Sequence, residues 1–122
     1  MIYNEENIIL KLSYEFALAI VEYSETLEEN KKYVIARQIL KSGTSIGANI
    51  REAQNAESKT DFIHKIKIAA KEVDETEYWL EICRDSKNYP FDITLIDKII
   101  VIKKIITKII STSKKPINEL SN

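Results

Sequence analysis

The chain has 122 residues, 44% hydrophobic and 30% charged, with a formal net charge of −1, one cysteine, one histidine, two prolines and two glycines. That length supports a single domain (1–122) with a real core. The lone cysteine excludes an internal disulfide, and so few turn-formers exclude a sheet or sandwich, which needs breakers about every ten residues. The apolar runs are far shorter than the roughly 20 residues that span a bilayer, and no charged-then-apolar leader opens the chain. A soluble cytoplasmic protein with no membrane partner is therefore expected.

The first helix is predicted from about Glu5 to Glu29, with Asn4 as its cap and Ile8, Leu12, Phe16, Ala19, Tyr23 and Leu27 as its buried seam. Its glutamates, including Glu15, Glu22, Glu25, Glu28 and Glu29, face only Lys11 in opposition. Asn30, Lys31 and Lys32 then make a tight connection. The second helix is predicted to reach about Ala56 and reverses the charge, with Lys31, Lys32, Arg37, Lys41 and Arg51 against Glu52. These cations either complement neighbouring acidic helices or form a surface for RNA or DNA.

Both glycines of the chain, Gly43 and Gly47, fall inside this second helix, where each costs about 1 kcal/mol relative to alanine. Residues four apart share a helix face, so the pair marks a notch among Ala36, Ile39, Leu40, Ile46 and Ile50 where another helix approaches closely. The string around them lacks the Gly-Lys-Ser/Thr ending of a phosphate loop. On the other side of the helix lie Ser45, Asn49 and Glu52, small or polar residues suited to an interface.

Ser58, with Asp61 three positions later, starts the third helix as a capping-box-like pair. Its apolar residues Phe62, Ile66, Ala69, Val73, Thr76, Leu80 and Cys83 alternate steps of four and three, a heptad seam predicted to run to about Ser86, a rod of roughly 40 Å. Lys65, Glu72 and Glu75 flank that seam. Ile68, Trp79 and Ile82 lie outside it, with Tyr78 on the far side. Lys87 to Pro90 break the pattern, Asp92 caps the fourth helix, and that helix is predicted to end near Ser113, with a frayed tail over 113–122. Ile96, Ile99, Ile102, Ile106, Ile109 and Ile110 line one side of it, while Ile100 and Ile105 widen the band. Short loops between four long helices imply an all-α, antiparallel up-and-down four-helix bundle. The surplus apolar faces of helices three and four imply self-association into a closed ring or dimer.

Chemistry-bearing residues are sparse. His64 is the only histidine, so paired Glu-x-x-His motifs of a di-iron bundle cannot be built, and Cys83 continues the heptad seam as a small core residue. Lys41-Ser42-Gly43 and Ser111 to Lys114 imitate boxes of serine β-lactamases, but in the wrong order and in too short a chain. No catalytic residue, metal or cofactor is expected, and the reading is of a non-enzyme.

The string Ser45-Ile46-Gly47-Ala48-Asn49-Ile50-Arg51-Glu52-Ala53, followed by Ser58, Asp61-Phe62, Lys65, Ile68-Ala69, Glu72, Glu75-Thr76 and Tyr78-Trp79-Leu80, resembles the four-helix-bundle proteins of the 23S rRNA intervening-sequence family. The resemblance implies an up-and-down bundle, usually a homopentamer, in a family named for genes inside spacers of large-subunit ribosomal RNA. The fold is also similar to accessory proteins of diversity-generating retroelements, which partner a reverse transcriptase and its nucleic acid. Family members often carry proline where this chain has Gly47, which would make the notch an irregularity in the helix and not a packing device. Two functions follow. One is an oligomer binding RNA or DNA non-specifically through Lys31, Lys32, Arg37, Lys41 and Arg51. The other is a ring-shaped scaffold for protein partners, with Gly43, Ser45, Gly47, Asn49, Glu52, Lys65, Glu72, Glu75, Tyr78, Trp79 and Ile82 as interface or structural residues.

Overall fold

The computed structural model describes residues 5–114, with side chains from residue 8 onward. Four helices follow one another: α1 (Glu5–Glu29), α2 (Tyr33–Ala53), α3 (Lys59–Asp85) and α4 (Ile93–Ser113). Each packs against two others, α1 on α2 and α4, and α3 on α2 and α4. The pairings run in opposite senses. Ser13 meets Gly47 while Ile20 meets Gly43, Thr76 meets Ser42 while Lys65 meets Glu52, and Tyr23 meets Phe91 while Leu12 and Phe16 meet Val101 and Ile102. The arrangement is thus an antiparallel four-helix bundle.

The core is dominated by isoleucine: Ile9, Ile20, Ile39, Ile46, Ile50, Ile66, Ile99 and Ile102 are all essentially inaccessible. β-Branched side chains are mediocre helix formers but enter the core with one stiff rotamer, so little side-chain entropy is lost on packing. The heptad seam of α3 is buried from Ile66 to Cys83 as expected, with Phe62 half-buried at its start.

The seam of α1 departs from expectation. Ile9, Ser13, Phe16, Ile20, Tyr23, Ser24 and Leu27 are buried, whereas Ile8 is exposed and Leu12 and Ala19 are only partly covered. Two serines occupy seam positions, and each satisfies its hydroxyl within its own helix, Ser13 Oγ donating to Leu10 O at 3.3 Å and Ser24 Oγ to Val21 O at 2.8 Å. Their small size lets α2 approach. A Cβ built on Gly43 would lie 2.8 Å from Ile20 Cγ2, and one on Gly47 would lie 3.3 Å from the Ser13 carbonyl oxygen. Helix α2 runs unbroken through both glycines, so the notch is a packing device and not a helix irregularity. Leu40, expected in this seam, is 38% exposed because it lies beyond the glycine line.

The connections explain the helix ends. Asn30 Nδ2 donates to Thr26 O at 2.8 Å, and Lys31 turns the chain with φ 64°. Helix α2 stops at Ala53, three residues earlier than expected, because Gln54, Asn55 and Ala56 tighten into bonds to carbonyls three residues back. Ser58 Oγ accepts from Asp61 N at 3.0 Å, and Asp61 Oδ2 accepts from Glu57 N, close to the expected reciprocal cap. Asp92 caps α4 by accepting from Thr94 N and Thr94 Oγ1. Tyr23 donates its hydroxyl to Pro90 O at 2.7 Å and meets Phe91 edge-on, pinning the α3–α4 loop to α1. Burial, reinforced by the Cys83 thiol, pushes the Tyr23 phenol far above its ordinary range. The Asn4 cap and the expected tail beyond Lys114 lie outside the described residues.

Candidate functional site

The bundle has four sides, and two of them share α2. On the side toward α3, the polar residues singled out in the sequence converge. Helix α3 carries a second heptad stripe one position before its core seam, formed by Lys65, Ile68, Glu72, Glu75, Trp79 and Ile82. All but the exposed Glu75 are half-buried. Glu52 of α2 pairs with Lys65 at 3.6 Å, which fixes this stripe on the α2 side. Ser45 and Asn49, two turns and one turn before Glu52, bond to their own helix, Ser45 Oγ to Lys41 O and Asn49 Nδ2 to Ser45 O. Trp79 packs on the core and donates Nε1 to Glu75 Oε2 at 3.2 Å. Tyr78, 57% exposed, stands edge-on to Trp79 with ring centroids 5.3 Å apart. No cation of the described residues pairs with Glu72 or Glu75.

Beneath this face lies a buried polar contact. The hydroxyls of Ser42 and Thr76 are 2.9 Å apart, and Thr76 Oγ1 also lies 2.7 Å from Glu72 O. Thr76 has a single proton to give, so when it goes to the carbonyl the Ser42 hydroxyl supplies the one shared between the two oxygens.

On the side toward α1, the half-buried Thr44 and the exposed Ala48 and Arg51 line a groove against that helix, and Arg37 and Lys41 continue the same line along the outer side of α2 in steps of four and three. Arg37, Lys41 and Arg51 are exposed and make no ion pair among the described residues. Among the described residues the acidic α1 therefore makes no direct ion pair with these cations of α2, so of the two readings of their charge the complementation of neighbouring helices is not seen as pairing here. The inter-helix ion pairs join α3 to its neighbours: Lys65 with Glu52, and Lys103 with Glu77 and Asp74. Of the other expected cations, Lys31 is exposed in the turn, and Lys32 places Nζ 4.8 Å from the centroid of the Tyr89 ring. The five basic residues thus do not form one cluster.

Beside the α2 cations runs an apolar stripe that the sequence reading missed. Tyr14, Leu18 and Val21 of α1 are 53%, 51% and 38% exposed. Between the two helices an open groove of about 780 Å³ has Ser13 and Gly47 at its floor and Leu10, Tyr14, Thr44 and Ala48 on its walls. The available signal was the step of four and then three from Tyr14 to Leu18 to Val21, hidden because it parallels the seam. The apolar excess assigned to α4 is smaller than expected. Ile96, Ile105 and Ile110 pack against the core, leaving Ile93, Ile100 and Val101 exposed. On α3 Trp79 likewise belongs partly to the core.

Among the described residues no group of three His, Cys, Asp or Glu side chains comes together that could hold a metal. His64 is exposed and Cys83 fully buried, its thiol pushed up by burial. No described helix is long and apolar enough to cross a membrane.

A family model described as 23S rRNA-intervening sequence protein matches residues 5–108, a range that takes in the first three helices and most of the fourth. The chain belongs to this family. A crystal structure at 1.70 Å of a protein of unknown function from the S23 ribosomal protein family of Bacteroides thetaiotaomicron VPI-5482 is 42% identical, with a TM-score of 0.82, 88% of this chain and 99% of that one being covered. Among curated proteins none matches. Membership fixes the bundle and leaves the biochemical activity to be argued from the surface.

Proposed function

We propose that this protein is a non-enzymatic, cytoplasmic helical-bundle module that works as a homo-oligomeric ring and offers that assembly to a partner in connection with rRNA intervening sequences. The observation that carries the reading is the exposed stripe of Tyr14, Leu18 and Val21. Scattered surface apolars need no explanation, but a line of them at helical spacing beside a groove is the kind of patch that another surface covers. The family resemblance favours five copies. Light scattering on a size-exclusion column tests it. A mass several times the 14.1 kDa of the chain supports the proposal, and a stable monomer at micromolar concentration overturns it.

A second reading, non-specific binding of RNA or DNA, is favoured by the exposed cations Arg37, Lys41 and Arg51, which lack ion-pair partners among the described residues. Phosphate contacts of this kind weaken steeply between about 50 and 200 mM salt. Fluorescence anisotropy with mixed-sequence RNA and DNA at low salt, repeated with Arg37, Lys41 and Arg51 changed to Glu, tests this reading. Binding lost in the variant supports it. No binding, or binding indifferent to those charges, leaves the protein scaffold as the function.

A further inference from the structure

Residues 86–92, which join α3 to α4, form neither helix nor strand. Their two ends belong to the helices: Ser86 N donates to Ile82 O at 2.9 Å, and Asp92 caps α4. Between those ends the segment is fastened by side chains of other elements. Tyr23 of α1 donates its hydroxyl to Pro90 O at 2.7 Å and holds the Phe91 ring edge-on at 6.5 Å. Lys32, at the start of α2, sets its ammonium 4.8 Å from the centre of the Tyr89 ring. The segment therefore lies across this end of the bundle as a strap tied to α1 and α2.

Three features make the strap separable from the core. Asn88 within it has φ 66°, and Lys31, beside the lysine that holds Tyr89, has φ 64°. Both are left-handed conformations that persist only while surrounding contacts hold them, so loosening the ties relieves strain. One of those ties, Lys32 on Tyr89, is a weak kind of contact. Finally, a groove of about 270 Å³ beside Phe91, bounded by Ala19, Glu22 and Thr26 of α1 and Lys98 of α4, leaves that ring room to move outward. Behind Tyr23 lies Cys83, the one cysteine of the chain, fully buried with its thiol against the Tyr23 hydroxyl.

We propose that residues 86–92 are a strap that opens and recloses without unfolding of the bundle, with the Tyr23 hydroxyl on Pro90 as its lock and Lys32 on Tyr89 as a second tie. Segments fastened by a few such contacts open at a lower free energy than the packed core. The open form bares Tyr23, Phe91 and the Cys83 thiol while the isoleucine core stays packed. Whatever engages those groups shifts this end of the bundle toward its open form.

The test is the rate at which a maleimide alkylates Cys83 in the intact chain, followed by mass spectrometry over a urea series kept below the unfolding transition. Circular dichroism gives the global stability of each variant. Wild-type labelling is expected to be slow and to change little with urea, since strap opening exposes little surface. Tyr23→Phe is expected to label about five- to tenfold faster, and Lys32→Ala about two- to fivefold faster. Thr76→Val weakens the bundle at the α2–α3 contact without touching the strap, so its labelling in low urea should match wild type. Labelling that rises in Thr76→Val in step with its lost stability overturns the proposal, because only whole-chain unfolding then reaches the thiol. A wild-type rate that climbs with urea as steeply as global unfolding overturns it equally, and so does labelling as fast as that of a free thiol. Should Tyr23→Phe fail to fold, Lys32→Ala, Thr76→Val and the urea dependence decide between the same outcomes.

Discussion

The two flanks of α2 pack by opposite means. Toward α1 the helix has given up side chains: Gly43 faces Ile20 and Gly47 faces the Ser13 backbone, with no ion pair across the contact among the described residues. Toward α3 it uses directional polar groups, the buried Ser42–Thr76 hydroxyls and the Lys65–Glu52 ion pair. The first contact is fixed by volume, which rises steeply in energy when violated. The second is fixed by direction, where the loss of one partner costs more than the loss of both. The same helix therefore has one flank intolerant of added atoms and another intolerant of half-removed pairs.

The largest expected effect breaks the volume flank. A Cβ on Gly43 meets both branches of the fully buried, stiff Ile20 at 2.8 and 2.9 Å. Overpacking of about 1–3 kcal/mol should outweigh the gain in helix propensity of about 1 kcal/mol, so Gly43→Ala is net destabilising and Gly43→Leu loses more than about 3 kcal/mol. At Gly47 the nearest atom is 3.3 Å away, and Gly47→Ala is expected within about 0.5 kcal/mol of wild type, while Gly47→Leu is clearly worse. Urea unfolding of the four variants gives the order. Equal tolerance of alanine and leucine at both sites would remove the claim of a tight contact.

A middle-sized effect probes the directional flank. Thr76→Val leaves the Ser42 hydroxyl buried without its cross-helix partner and is expected to cost about 1–3 kcal/mol. Adding Ser42→Ala should recover much of that loss, because the orphaned group is then gone. A double-mutant cycle from denaturant melts measures the coupling, and strict additivity would show that the two hydroxyls do not act as a pair.

The smallest effect comes from the rim of the same flank. Glu52→Gln removes the charge from a pair whose side chains are 60% and 31% exposed. Less than about 1 kcal/mol is expected, shrinking with added salt. A larger loss would mean that the pair organises the face around Ser45 and Asn49.

Legibility in the sequence follows the same division. Helix α3 was readable because its seam is unbroken by polar residues apart from Thr76, and its cap, Ser58 with Asp61, uses local chemistry that any helix start would use. Helix α1 was read correctly at Phe16, Tyr23 and Leu27 but misread by one position at Ile8, Leu12 and Ala19, because Ser13 and Ser24 look like surface residues, and Ile8 and Ile9 offer two equally apolar choices. Only the docking of the α2 glycines selects between them. The stripe of Tyr14, Leu18 and Val21 was missed for the same reason, since a misplaced seam moves the outer face with it.

The sequence by itself determined four helices, most of their caps and turns, the heptad seam of α3 and the presence of a notch at Gly43 and Gly47. Those features depend on spacing and on bonds within a few residues. Tertiary structure alone decided which glycine is the tighter contact, which of the isoleucines on α4 are covered, and that the polar residues of α2 and α3 share one face while Arg37, Lys41 and Arg51 make no ion pair among the described residues. Each of these depends on how far one helix is rotated against another, which is set by steric fit between elements distant in the chain.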